Sequence, residues 1–103
     1  MERNFSDSQK STIWGNYFGA STSATDAFGK QMTKSNFEAD HIFPFAKGGK
    51  TIVENGMPLA KESNDIKSDN IEGIINGKAW EVKVLKSDNK IGVLYVNGQR
   101  ISK

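Results

Sequence analysis

The C-terminal part of the chain carries the pattern that most restricts its fold, an alternation of apolar and polar residues. In the segment AWEVKVL, Trp80, Val82 and Val84 fall on one side and charged residues on the other. That period is typical of a half-buried β-strand. The run IGVLYV predicts a second strand, and Asn97-Gly98 is a strong hairpin signal before QRIS. The sequence therefore predicts an antiparallel β-meander at about residues 78–102, with KSDNK as a turn.

A helix is predicted near the N-terminus. Ser6 is a candidate N-cap, and Gln9, three residues later, completes the pattern of a capping box. Apolar residues then recur at helical spacing, and Gly19 is a typical helix end. They are Ile13, Trp14, Tyr17 and Phe18. The next segment, ASTSATDAFGKQMTKS, is rich in Ser, Thr and Gly and predicts a connection with at most one turn.

The central segment predicts two strands joined by a loop. Residues 37–45 are typical of a strand that runs into a turn bounded by Pro44. Residues 47–56 predict the loop, and the short apolar piece at residues 57–60 predicts the second strand.

A second helix is predicted after these strands, with Ser63 or Asn64 as its cap and Asn76-Gly77 as its end. Its apolar positions are Ile66, Ile71, Ile74 and Ile75. The predicted order is thus a helix, a ββα unit and a meander, which is an α+β fold.

Composition sets further limits. At 103 residues the chain predicts a single domain, residues 1–103. It has no cysteine, which excludes disulfides and Cys-ligated zinc and predicts a reducing, cytoplasmic compartment. The N-terminal MERNFSDSQK has no apolar stretch, so no signal peptide is expected, and no apolar run is long enough to span a membrane. The net charge of +2 permits nucleic-acid binding without arguing for it.

The only histidine, His41, lies in the stretch FEADHIFPFAKGG. Asp40 precedes it, Asn55 lies 14 positions after it, and Asn64 lies 23 positions after it. If the second helix folds back beside the first strand, Asp40 and Asn64 present oxygens to one point. Adjacent residues on a regular strand leave opposite faces, so a site shared by Asp40 and His41 needs a distorted or terminating strand.

These residues carry a resemblance to a known family. The stretch ADHIFPFAKGGKTIVENGMPLAKESNDIKSDN resembles the HNH nuclease motif, whose fold is the ββα-metal or His-Me finger. The matching positions are Asp40, His41, Ile42, Pro44, Gly48, Gly49, Asn55, Leu59, Asn64 and Lys67. Asn64 stands where many relatives have a second histidine, so the stretch looks like the H-N-N variant and is similar to the HNH domain of RNA-guided CRISPR nucleases. The resemblance covers about a third of the chain, residues 37–70, within a motif core of about residues 37–75.

The resemblance implies a role for each residue of the motif. His41 would be the general base that takes a proton from water, and Asn55 would hold its ring or its backbone. Asp40 and Asn64 would bind one divalent metal ion, a Lewis acid toward the phosphodiester. Two oxygen ligands favour Mg²⁺, with Mn²⁺ as the nearest substitute, and no structural zinc is expected.

Basic residues around the motif are candidates for phosphate binding. Lys67 lies one helical turn after Asn64, and Lys47 and Lys50 lie in the Gly-Gly loop. Lys83, Lys86 and Arg100 could grip DNA from the meander, although surface lysines are more often solvated charge.

Simpler interpretations stay open for several residues. Asn64 could be a helix cap, and Asp65 and Asp69 are rival metal ligands. Asn55 precedes a glycine and could form a turn, and Lys67 could be an ordinary solvated lysine.

The resemblance implies a metal-dependent DNA endonuclease of the HNH type, which would nick one strand as a monomer and could cut both as a dimer. Its expected setting is a bacterial or phage one, with a homodimer, a phage or restriction assembly, or an immunity protein as partner. Two alternatives are a non-catalytic nucleic-acid-binding module on an HNH scaffold and a purely structural ββα module that depends on a partner.

Overall fold

The first helix, α1 (Asp7–Phe18), begins as its sequence predicts. In this computed structural model, which describes residues 3–101, the Ser6 hydroxyl accepts from the Gln9 N–H at 3.1 Å. The Gln9 side chain accepts from the Ser6 N–H at 2.8 Å, which completes the capping box. Ile13 and Trp14 are fully buried, and Gly19, with φ of 59°, ends the helix.

The segment after α1 is not a plain connection, and that prediction is wrong. It forms a hairpin of β1 (Ser23–Thr25) and β2 (Gln31–Thr33). Asp26 explains why, because its buried carboxylate accepts from N–H groups within the turn and, at 3.0 Å, from Ala60. This long-range contact supplies order that the local composition does not reveal.

The two predicted central strands are confirmed as an antiparallel pair, β3 (Glu38–His41) and β4 (Gly56–Leu59). Asp40 pairs with Met57, and His41 pairs with Gly56 at the end of the ladder. The connection between them contains two short 3-10 turns, Phe45–Lys47 and Val53–Asn55.

The second helix is shorter than predicted. It is α2 (Lys61–Lys67), its N-cap is Ala60 and neither Ser63 nor Asn64, and it ends at Ser68, where φ is 47°. Of the isoleucines predicted for its apolar face, Ile66 lies in α2 but is exposed, Ile71 follows the helix, and Ile74 and Ile75 belong to a strand, β5 (Glu72–Ile75). Ile, a β-branched residue, suits a strand at least as well as a helix, and the pairing partner lies downstream.

The predicted meander is confirmed and gains β5 as a fourth strand. Its order is β5, β6 (Lys78–Val84), β7 (Gly92–Val96) and β8 (Gln99–Arg100), all antiparallel. Asn76-Gly77, predicted to stop a helix, is the β5–β6 turn. Like Asn97-Gly98, it has positive φ at both residues, the signature of a two-residue hairpin.

One apolar cluster joins the central hairpin to the inner face of this sheet. Its buried members are Phe28, Ile42, Met57, Leu59, Ile75, Trp80, Leu94 and Val96. Two α-helices and three antiparallel sheets thus make up the α+β fold of residues 3–101. Neither of those helices has the length and apolar character that crossing a membrane requires.

Candidate active site

His41 is the last residue of β3, and its ring lies between two aromatic side chains. The centroid of the His41 ring is 4.5 Å from that of Phe5 and 5.6 Å from that of Phe45. Its Nε2 is 2.8 Å from the hydroxyl of Thr51, a bond available to either tautomer of the ring. Among residues 3–101 this is the hydrogen bond that fixes the ring, and it leaves Nδ1 able to accept a proton.

The surroundings of His41 keep it neutral. Burial lowers the pKa of His41 below its ordinary value of 6.5, and the positive charges of Arg3 and Lys67 lower it further. Asp69 opposes this shift without reversing it. The imidazole is therefore in its basic form at neutral pH.

Asp40 lines the same cavity as His41, although the two are adjacent in the chain. The objection from strand alternation is met because β3 ends at His41. Asp40 is only 5% exposed, and its Oδ2 lies 2.9 Å from Nζ of Lys67. Burial raises the pKa of the Asp40 carboxyl to about 6, against the lowering effect of Lys67.

Lys67 does not occupy the position that the sequence predicts for a phosphate contact. Its side chain is fully buried. Its ammonium donates to the backbone oxygens of His41 at 3.2 Å and Ile42 at 3.0 Å, and lies 5.7 Å from the centroid of the Trp80 ring. The prediction that Lys67 binds substrate phosphate is corrected, because a substrate in the cavity does not reach an ammonium enclosed by protein. The alternative of a solvated lysine is wrong for the same reason.

Asn55 organises the backbone that follows His41. Its fully buried side chain accepts from the N–H groups of Phe43 at 3.0 Å and Gly92 at 2.8 Å. It donates to the carbonyls of Phe43 at 3.1 Å and Lys50 at 2.9 Å. Asn55 therefore holds the loop and leaves the ring to Thr51, a residue that the sequence analysis missed. A threonine ten positions after a histidine carries no local signal that would find it.

Asn64 lines the cavity from α2, half-buried. Its Nδ2 donates to Oε1 of Glu38 at 2.7 Å, so the amide is held by β3. The rival ligands Asp65 and Asp69 line the same cavity and are exposed.

The donor set can be tested against a metal ion. Oδ2 of Asp40 is buried beside the Lys67 ammonium at 2.9 Å, but no donor among residues 3–101 makes a well-directed hydrogen bond to it, so this carboxylate keeps acceptor capacity for a second cation. Asn64 adds an amide oxygen at the same cavity. Carboxylate and amide oxygens fit a hard cation such as Mg²⁺ that keeps several waters. Within residues 3–101 no three His, Cys, Asp or Glu side chains gather as a metal-binding group, so such a site would have few protein ligands.

The remaining predicted phosphate contacts lie outside the cavity, which has a volume of about 790 Å³. Lys47 and Lys50 are both exposed, and Lys50 is paired with Asp88. Instead, the basic residues that line the cavity are Arg3 and Lys10, which the sequence analysis did not single out.

Comparisons of the chain with protein-family models, with curated proteins and with solved structures gave no match.

Proposed function

We propose that this chain is a metal-dependent endonuclease of the HNH type that hydrolyses phosphodiester bonds of DNA. One observation carries the proposal. A neutral imidazole, a buried carboxylate and an amide, from His41, Asp40 and Asn64, line a single open cavity. Phosphodiester hydrolysis needs a base for water and an electropositive centre for the phosphate, and these three groups supply the protein part of both.

The order of elements supports the same interpretation. The antiparallel pair β3–β4 leads directly into α2, and the three groups come from the end of β3 and from α2. This is the arrangement expected for a ββα-metal core. The order of elements therefore agrees with what the resemblance implies and supports the proposal.

In the proposed mechanism His41 Nδ1 accepts the proton of the attacking water. Thr51 holds Nε2 at 2.8 Å and so fixes the direction of the ring. The packing of Phe5 against the imidazole restricts ring rotation and excludes water from one side. Because its pKa is lowered, His41 is available as a base without prior deprotonation.

Asp40 and Asn64 would hold the metal ion. When bound, the ion would supply Lewis-acid stabilisation of charge on the phosphate and on the leaving 3′ oxygen. Lys67 acts on this site from inside the protein. Its ammonium ties Asp40 and the carbonyls of His41 and Ile42 to α2, which fixes the carboxylate without contact with substrate. The expected products carry 5′-phosphate and 3′-hydroxyl ends.

A supercoiled-plasmid assay tests this function. Wild-type protein and the His41→Ala variant are incubated with plasmid in Mg²⁺, in Mn²⁺ and in EDTA. The proposal predicts relaxed plasmid with wild type in either metal, none in EDTA, and loss of activity in the variant by about 10²–10⁴-fold. Equal cutting by wild type and variant would contradict it, as would cutting in EDTA.

One observation favours a second candidate, a nucleic-acid-binding module without catalysis. The Lys67 ammonium already lies beside the Asp40 carboxylate, where it supplies a positive charge without a metal. This candidate predicts DNA binding that is unchanged by EDTA and no nicking in any metal. The plasmid assay and a binding assay run in parallel therefore separate the two functions.

A further inference from the structure

We propose that Arg3 and Lys10 bind the phosphates of the substrate, so that the nucleic-acid backbone crosses the cavity on the side of the N-terminal segment and α1. The inference rests on the proposed function, and it adds two residues that lie outside the HNH-like motif.

The basic and acidic residues of the cavity come from different elements. Arg3 and Lys10 line it from the N-terminal segment and from α1. The acidic residues that line it come from other elements, namely β3, α2 and the residues after α2. They are Glu38, Asp40, Asp65 and Asp69. These carboxylates repel a polyanion except where a metal ion intervenes, whereas Arg3 and Lys10 attract its phosphates.

Arg3 lies over an aromatic ring that neighbours His41. Its guanidinium carbon lies 5.2 Å from the centroid of the Phe45 ring, and that ring is 5.6 Å from the ring of His41. A guanidinium over an aromatic face keeps its N–H donors for other partners, and these donors match two phosphate oxygens. Within residues 3–101 Arg3 forms no ion pair.

The segments that carry Arg3 and Lys10 are anchored to the rest of the fold. Phe5 is 5% exposed and packs against His41, which anchors the chain two residues after Arg3. A Cβ on Gly56 would come within 2.4 Å of Ile13 and 3.2 Å of Phe5, so β4 and the N-terminal residues are in close contact. Lys10 lies within the first turns of α1 behind the capping box. Both cations are therefore placed by folded structure.

The salt dependence of DNA binding tests the inference. A fluorescent duplex oligonucleotide is titrated with wild type, Arg3→Ala, Lys10→Ala, the double variant, Arg3→Lys and Lys90→Ala, in Ca²⁺ over a series of NaCl concentrations. Lys90 is exposed and does not line the cavity, so its replacement is the matched control. Each phosphate contact contributes about 0.9 to the slope of log affinity against log salt.

The inference predicts a slope reduced by about one in each single alanine variant and by about two in the double variant. Arg3→Lys and Lys90→Ala keep the wild-type slope. Thermal unfolding of each variant confirms that the fold is retained. Wild-type slopes in Arg3→Ala and Lys10→Ala, or an equal reduction in Lys90→Ala, would overturn the inference.

Failure of the proposed function gives a different result. If the variants show the predicted slopes but wild type never nicks plasmid, phosphate binding by Arg3 and Lys10 is supported and the proposed hydrolysis is contradicted. If wild type binds no DNA even at low salt, the inference is overturned.

Discussion

The site-bearing region, residues 26–67, and the C-terminal sheet, residues 72–100, are stabilised in different ways. Within residues 3–101, every buried polar or charged side chain belongs to the first region. These side chains are Asp26, Asp40, Asn55, Ser63 and Lys67. The sheet buries apolar side chains such as Trp80, Leu94 and Val96 on its inner face. Polar burial is thus confined to the region that carries the candidate site, whereas the sheet follows ordinary strand alternation.

The two regions are nevertheless coupled. The Gly92 N–H of β7 donates to Asn55, and the Lys67 ammonium lies over the ring of Trp80 from β6. A Cβ on Gly92 would lie 2.6 Å from the backbone nitrogen of Phe43. The sheet therefore supports the loop that follows His41, and its contribution to function is positional.

The sharpest contrast between the regions comes from two lysines. Lys67→Ala leaves the Asp40 charge buried without its partner, which should lower the free energy of unfolding by about 3–5 kcal/mol. Lys83→Ala, in an exposed ion pair with Glu81 on the sheet, should change it by no more than about 0.5 kcal/mol. Urea denaturation measures both. Equal losses in the two variants would show that the buried Lys67–Asp40 pair stabilises the fold no more than the exposed pair does.

Asn55→Ala should have the next largest effect. The substitution leaves four backbone groups of Phe43, Lys50 and Gly92 without their partner. Each buried group left unsatisfied costs about 1–3 kcal/mol, so a net loss of about 2–4 kcal/mol is expected after relaxation. Plasmid nicking should also slow, because the loop beside His41 loosens. Asn89→Ala, in an exposed turn of the sheet, is the control and should alter neither quantity.

Gly98→Ala separates stability from activity. Gly98 has φ of 80° in open space, so alanine there costs about 1–2 kcal/mol in backbone strain alone. The nicking rate well below the melting temperature should not change. Gly92→Ala in the same sheet should reduce the rate, because its Cβ would displace Phe43. An activity loss in Gly98→Ala matching that in Gly92→Ala would mean that the sheet affects the site through global stability.

The smallest expected effect is a pH dependence. Since the pKa of His41 is lowered, its neutral form persists below pH 6.5, and the acid limb of the nicking rate shifts to lower pH. Asp40, whose pKa is raised to about 6, must also lose its proton to bind metal, so the limb should steepen near pH 6. In saturating Mg²⁺ the rate at pH 6.5 should be at least about half of that at pH 7.5. An acid limb with its midpoint above pH 6.5 would contradict the lowered pKa of His41.

Local patterns predict most of the secondary structure of this chain. The capping box at Ser6, the alternation around Trp80 and the turn at Asn97-Gly98 act over a few residues, and the structure confirms them. Long-range contacts decide the rest. Asp26 orders an apparently loop-like segment by a bond to Ala60, and pairing with β6 converts residues predicted as helix into β5.

The candidate site shows the same limit. The motif predicts which residues approach the cavity, and Asp40, His41 and Asn64 all line it. It does not predict that Lys67 turns inward, because the partners of its ammonium lie 25 or more positions earlier in the chain. Thr51 and Arg3 come to His41 only through the folded loop and the N-terminal segment.

Chemical rescue tests the central claim, that His41 is the base, most directly. The nicking rate of His41→Ala is measured in Mg²⁺ at pH 7.5 with increasing imidazole, alongside Asn64→Ala, which lacks a proposed metal ligand. The account predicts that imidazole restores part of the rate in His41→Ala in proportion to its neutral form and restores none in Asn64→Ala. Full activity in His41→Ala without imidazole would contradict the account, as would equal rescue of both variants.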